Sequence, residues 1–170
     1  MDAFQRGLID LLPRLRRFAR ALVRDAADAD DLVQTAVERA LQRRDQWRHG
    51  SRLDSWMFTL MKHAWIDETR SRTRRGRVFS PPEAGEHVAG DDAGTIERRL
   101  HAREVEAAMA RLPEDQRLAV ALVLIEGLSY REAADVLETP IGTLTSRLVR
   151  GRQALLAMLG EDAVPGSAQA

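Results

Sequence analysis

Apolar residues Phe4, Leu8, Leu11, Leu12, Leu15, Phe18, Ala19 and Leu22 recur at helical spacing and predict an amphipathic helix over residues 3–23. Pro13 lies in its middle and is expected to bend or split it, because proline removes a backbone hydrogen bond and crowds the preceding turn. A second helix is predicted over residues 27–44, burying Leu32, Val33, Ala36, Val37, Ala40 and Leu41. Its first turns carry Asp28, Asp30 and Asp31, which suit the positive end of a helix dipole. After a loop at residues 45–52, a third helix runs from Leu53 into a cluster of arginines, with Trp56, Met57, Leu60, Met61 and Ala64 turned inward. Residues 78–97 have no apolar period and contain Pro81, Pro82 and several glycines, the composition of a flexible linker. Helical spacing resumes near Ile96, placing Val105, Ala108, Met109 and Leu112 on one face. Pro113 then opens a further helix that ends before Gly127 and whose stretch LAVALVLIEG is apolar almost all round, as in the central helix of a small bundle. The pattern contains no strand period. The expectation is an all-α fold of two small helical domains, residues 1–77 and 98–160, joined by the linker and followed by a tail at residues 161–170.

The segment LSYREAADVLETPIGTLTSRLVRGRQ at residues 128–153 spells a short helix, a tight turn and a second helix rich in arginine. Ser129 and Glu132 are spaced for a reciprocal capping box. Ala133, Ala134, Val136 and Leu137 give the first helix an apolar side. Glu138 and Thr139 form the turn, Thr139 is placed to cap the next helix, and Pro140 is placed at its first position. Leu144, Leu148 and Leu155 form the buried stripe of the second helix. Thr143, Thr145, Ser146, Arg147, Arg150 and Arg152 are left for its wet side. This is the pattern of a helix-turn-helix whose second helix fits a major groove.

Net charge is zero over 170 residues, yet the charges are segregated: residues 1–77 hold 17 basic and 11 acidic side chains. Every basic residue except Lys62 is arginine, the side chain that pairs bidentately with phosphate and guanine. There is no cysteine, which excludes disulfides and thiolate metal sites and fits a reducing cytoplasm. The N-terminus lacks a signal-peptide pattern and no segment reaches the length of a membrane span. Enzyme signatures are missing too: the four histidines are scattered, and no metalloprotease or nucleophile-elbow motif occurs. His63 and Asp67 lie one turn apart, but two ligands on one helix fall short of a metal site. No catalytic residue, metal, cofactor or small-molecule substrate is expected.

Three motifs in order carry a family resemblance. DADDLVQTAVERAL, SWMFTLMKHAWIDETR and LPEDQRLAVALVLIEGLSYREAADVLETPIGTLTSRLVRGR resemble, respectively, the second conserved region, the promoter-melting helix and the fourth region of the extracytoplasmic-function (ECF) sigma factors of bacterial RNA polymerase. The resemblance spans nearly everything except the linker and the last ten residues. It implies a cytoplasmic promoter-specificity subunit that performs no covalent chemistry, whose partners are core RNA polymerase, promoter DNA and an anti-sigma protein. It implies that residues 1–77 bind the polymerase through Asp30, Asp31, Gln34 and Glu38, and read and melt the single-stranded −10 element through Trp47, Leu60, His63, Asp67, Arg70 and Arg74. It implies further that residues 98–160 read the −35 duplex through Gly142, Thr143, Thr145, Ser146, Arg147 and Arg150. His63 stands where the family pattern usually has asparagine, and Thr145 where arginine or lysine is frequent.

Other readings of single features stand beside these. Trp47 also suits a partly buried anchor, the acidic face of the second helix an ordinary solvated surface, and the run Arg70, Arg72, Arg74, Arg75, Arg77 a helix end that complements its dipole. A conventional helix-turn-helix regulator would explain residues 128–153 alone.

Overall fold

The computed structural model describes residues 1–76 and 96–160; the expected linker, apart from its last two residues, and the tail lie outside the described residues. The described residues are helical without strands, as expected. The first lobe is α1 (Ala3–Leu22), α2 (Ala26–Gln42) and α3 (Leu53–Arg74), with a short 3-10 turn at Arg44–Gln46. The second is α4 (Ile96–Ala110), α5 (Glu114–Val120), a π-helical turn at Ala121–Ile125, α6 (Tyr130–Leu137) and α7 (Ile141–Leu159).

Pro13 neither splits α1 nor ends it: the helix is continuous. The proline faces solvent, so the carbonyl it deprives of a partner is positioned to be hydrated, while Leu8 and Leu15 anchor both halves in the core. The N-terminus of α1 has a capping box unread in the sequence: Asp2 accepts from the Gln5 amide at 2.9 Å and Gln5 Oε1 accepts from the Asp2 amide at 3.1 Å. Leu41, expected inside, is 48% exposed, because the inward face of the last turn of α2 falls on Ala40, which is fully buried, and Leu41 is turned away from it. Phe18 and Phe58 meet edge-on at 4.9 Å in the centre of the first lobe, where both are fully buried.

In the second lobe, α5 and α7 approach so closely at Gly151 that an added Cβ would stand 2.8 Å from Val120 Cγ2. Ser129 caps α6 by accepting from the Glu132 amide at 3.1 Å, but the return half of the expected box is replaced: the Glu132 carboxylate pairs with Arg52 of the first lobe. Thr139 does not cap α7. Pro140 itself is the cap residue, and the Thr139 hydroxyl is buried without a partner.

The two lobes are packed together rather than apart. Helix α3 lies on α6, and α1 lies on α4, α5 and the π-helical turn. This is why α3 has little amphipathic contrast: it buries one side against α1 and α2 and another against the second lobe.

Candidate nucleic-acid interface

Two arginine-bearing helices, α3 and α7, are separated by α6, against which both pack. Along α7, Gly142, Ser146 and Arg150 are exposed, and Thr143 and Thr145 are half-exposed beside them. Nothing lies within 4 Å of the space above Gly142. The hydroxyls of Thr145 and Ser146 donate back to the carbonyls of Ile141 and Thr143 at 2.8 and 3.0 Å, leaving lone pairs that accept from outside. Arg150 makes no ion pair among the described residues, whereas Arg147 is held by Asp115 of α5 at 3.3 Å. Arg147 therefore ties α7 to its scaffold.

The set expected for the −10 strand is placed differently. Leu60 is buried. His63 is half-exposed and its Nε2 lies 3.5 Å from the Glu138 carboxylate. Asp67 pairs with Arg39 of α2 at 3.1 Å. Arg70 and Arg74 are exposed near the end of α3. Trp47 is half-buried, tilted on Phe4 at 5.4 Å and edge-on to His49 at 4.9 Å, and its indole N–H has no partner. On α2, Asp30, Asp31, Gln34 and Glu38 are all exposed, with the Gln34 amide donating to Glu38 at 3.0 Å. Asp30, Gln34 and Glu38 rim a depression of about 420 Å³ whose floor includes Leu12, Val33 and Val37.

The contacts that hold α3 under the second lobe escaped the sequence reading. Glu126, whose side chain is fully buried, accepts from Arg17 Nε and an Arg17 amino group at 2.9 Å each and from Arg14 Nε at 3.3 Å. The π-helical turn, in which the Glu126 amide reaches back to the Ala121 carbonyl, brings that carboxylate to α1. Arg14 also reaches Asp54 at 3.0 Å, and Arg52 bridges Asp54 and Glu132. Burial pushes the Asp54 carboxyl up, but the hydrogen bonds from Arg52 and Arg14 outweigh it and hold it below the ordinary range. Arg117 of α5 donates to the Leu22 carbonyl at 3.0 Å and lies over the Trp65 ring at 5.5 Å; burial lowers its pKa, and it stays a cation. Lys62, 4% exposed, donates to the Val136 carbonyl at 2.8 Å and to Glu138 at 3.3 Å. The only sequence signals for this set were a single acid ending an apolar run, two arginines one turn apart on α1, and one lysine inside an apolar helix.

Beside these contacts lies a groove of about 1120 Å³ between the lobes, lined by both signs of charge, among them Asp28, Arg39, Asp67 and Arg72. Among the described residues no group of histidines and carboxylates is arranged to hold a metal ion, and no helix is long and apolar enough to cross a membrane.

Residues 8–62 match the family described as the Sigma2 domain of PhyR, and residues 102–155 match sigma-70 region 4. The chain is 35% identical over 167 residues to the ECF RNA polymerase sigma factor EcfG of Rhodopseudomonas palustris (strain TIE-1), covering 95% of this chain and 87% of that protein. It is 35% identical over 155 residues to the ECF RNA polymerase sigma factor SigC of Mycobacterium tuberculosis, covering 86% and 78%. Its structure matches that of the sigma factor RpoE in complex with the anti-sigma factor NepR from Bartonella quintana, with a TM-score of 0.82, 30% identity, and 95% and 99% of the two chains covered. A conventional helix-turn-helix regulator accounts for the second match alone, not for a likeness that runs through both lobes. The chain belongs to the ECF RNA polymerase sigma factors.

Proposed function

We propose that the chain binds core RNA polymerase through the exposed α2 face of Asp30, Asp31, Gln34 and Glu38, and directs it to promoters whose −35 duplex is read by α7 and whose −10 strand is taken by α3. The observation that carries this reading is the likeness to RNA polymerase sigma factors across 95% of the chain. In this reading residues 1–77 are the polymerase-binding and melting domain and residues 98–160 the −35 domain. The α7 face supplies Gly142, Thr143, Thr145, Ser146 and Arg150 to the major groove, with Arg147 positioning the helix. The first lobe supplies Trp47, Leu60, His63 and Asp67 to the extruded base, and Arg70 and Arg74 to phosphates. Extruding a base costs a few kcal/mol, which stacking on an aromatic ring and hydrogen bonds to the base edge offset. The unpartnered Trp47 indole N–H and the half-exposed His63 supply such a ring and such an edge contact. The chain performs no covalent chemistry itself and acts in the cytoplasm, where polymerase and promoter are. An anti-sigma protein holds it inactive, a reading supported by the anti-sigma complex of the B. quintana relative.

Reconstituted transcription tests this. Purified chain with bacterial core polymerase on pooled genomic fragments is expected to give promoter-specific transcripts that core polymerase alone does not make. No stimulation, together with no co-elution with core polymerase in gel filtration, overturns it.

A further inference from the structure

Lys62 is the one lysine of the chain, and its ammonium is buried although it stands next to half-exposed His63 on α3. The acceptors that hold the ammonium come from the helix-turn-helix: the Val136 carbonyl at the C-terminal end of α6 accepts at 2.8 Å and the Glu138 carboxylate at 3.3 Å. Both acceptors suit a cation, one as the negative end of a helix dipole and the other as a full charge. Glu138 is also the one non-glycine residue with a left-handed backbone among the described residues, at φ 54° and ψ 42°. An L residue is strained there, and its carboxylate lies within reach of both Lys62 and His63.

An anionic oxygen held by a buried lysine and facing a histidine, on the helix assigned above to the −10 strand, occupies the place of a phosphate. We propose that Lys62 is a further DNA-contacting residue of α3, binding a backbone phosphate of the single strand, and that in the closed chain the Glu138 carboxylate stands in for that phosphate and masks the site. The inference rests on the promoter-binding reading of α3. It makes single-strand binding and lobe closure mutually exclusive, because one ammonium serves both. The −35 face of α7 is not involved, since none of its exposed residues touches the first lobe in the contacts described above.

The test is fluorescence anisotropy of the full chain with a labelled random-sequence single-stranded 15-mer and, as a control, the duplex of the same length. Glu138→Gln keeps the shape of the turn and removes the charge; it is expected to tighten single-strand binding about threefold, the effect of losing one largely exposed ion pair from the closing equilibrium, with duplex binding unchanged. Adding Lys62→Met, which fills the space of the lysine stem, is expected to abolish that gain and lower the salt slope of log affinity by about 0.7, the value of one phosphate contact on a single strand. Adding Lys62→Arg instead keeps gain and slope, which separates charge from packing. Unchanged single-strand affinity in Glu138→Gln, or an undiminished slope in Glu138→Gln/Lys62→Met, overturns the proposal. Failure of the sigma reading would show separately, as absent transcription by the wild-type chain with core polymerase.

Discussion

The two helices assigned to DNA differ in what already touches them. α7 presents Gly142, Ser146 and Arg150 to solvent with its structural charge, Arg147, tied down beside them. α3 has Leu60 and Lys62 buried, His63 engaged by Glu138, and Asp67 paired with Arg39. In the proposed reading one face is ready and the other is partly occupied by the protein itself. The difference follows from α6, whose sides serve both: it orients α7 through the turn at Glu138 and seals α3 through the same turn. In the proposed reading the −35 surface is accessible in the free chain, while the part of the −10 surface around Lys62 and His63 requires the lobes to part, so its exposure is coupled to the event that separates them, polymerase binding being the one proposed here.

The strongest way to break this asymmetry is at Glu126. Replacing both Arg14 and Arg17 with Ala leaves a carboxylate with a fully buried side chain and without either cation, a defect of about 3–5 kcal/mol when a buried pair is broken from one side. Parting of the lobes rehydrates Glu126, so the double variant is expected to populate the open arrangement rather than unfold. The chain has no native cysteine, so a pair introduced at exposed Ser51 and Gln153 can carry dyes for energy transfer. A distance distribution identical to wild type, with the double variant folded by circular dichroism, would show that the arginine pair does not hold the lobes.

A smaller effect sharpens the other side of the comparison. Arg150→Ala should weaken −35 duplex binding by about 1–3 kcal/mol if it contacts a base edge, and by the same amount in free chain as in the polymerase complex, because that face is uncovered in both. A loss confined to the complex would mean that α7 too is masked in the free chain. Changing Asp31 and Gln34 together to Ala should reduce association with core polymerase by about 1 kcal/mol, in the range of exposed polar contacts, and leave duplex binding by the free chain unaltered; intact polymerase binding in that variant would remove α2 from the assignment.

The asymmetry was not legible in the sequence, although most of the helices were. Apolar spacing located α1, α2 and the start of α3 closely, because each buries a stripe that repeats with the helix, and the helix-turn-helix pattern placed the start of α7 at Pro140. It misjudged Pro13, since spacing does not reveal that a proline faces water between two anchored turns, and Leu41, since two adjacent apolar residues, Ala40 and Leu41, both fit the period and only Ala40 is turned to the core. Polar residues carried less information still. Glu126 lies more than a hundred positions from Arg14 and Arg17 along the chain, and nothing local marks them as partners. Glu132 and Thr139 were read as local caps because the capping pattern is written in neighbouring residues, whereas the lobe interface recruited Glu132 to Arg52. Lys62 stands in the sequence simply as the one basic residue that is not arginine, and nothing in one dimension shows that another lobe's helix end binds it.

The last test is the mildest and uses pH alone. Hydrogen bonding by Lys62, with a lesser contribution from His63, holds the Glu138 carboxyl below its ordinary value, and both partners lie across the lobe boundary from it. A carboxyl whose pKa is depressed in the closed arrangement favours closure fully above its ordinary pKa and loses that contribution as pH falls through its lowered one. The lobes are therefore expected to stay closed through neutral pH and to begin parting only below about pH 4, the ordinary range for such groups. Glu138 is 63% exposed at its side chain, so its share is small; the sign is what matters. With the Ser51 and Gln153 dye pair, energy transfer should fall on acidification while helix content holds, and Glu138→Gln should flatten the upper part of that curve. A rise in transfer on acidification would mean that the carboxylates repel across the interface instead of binding it, and α3 would then be covered by packing alone.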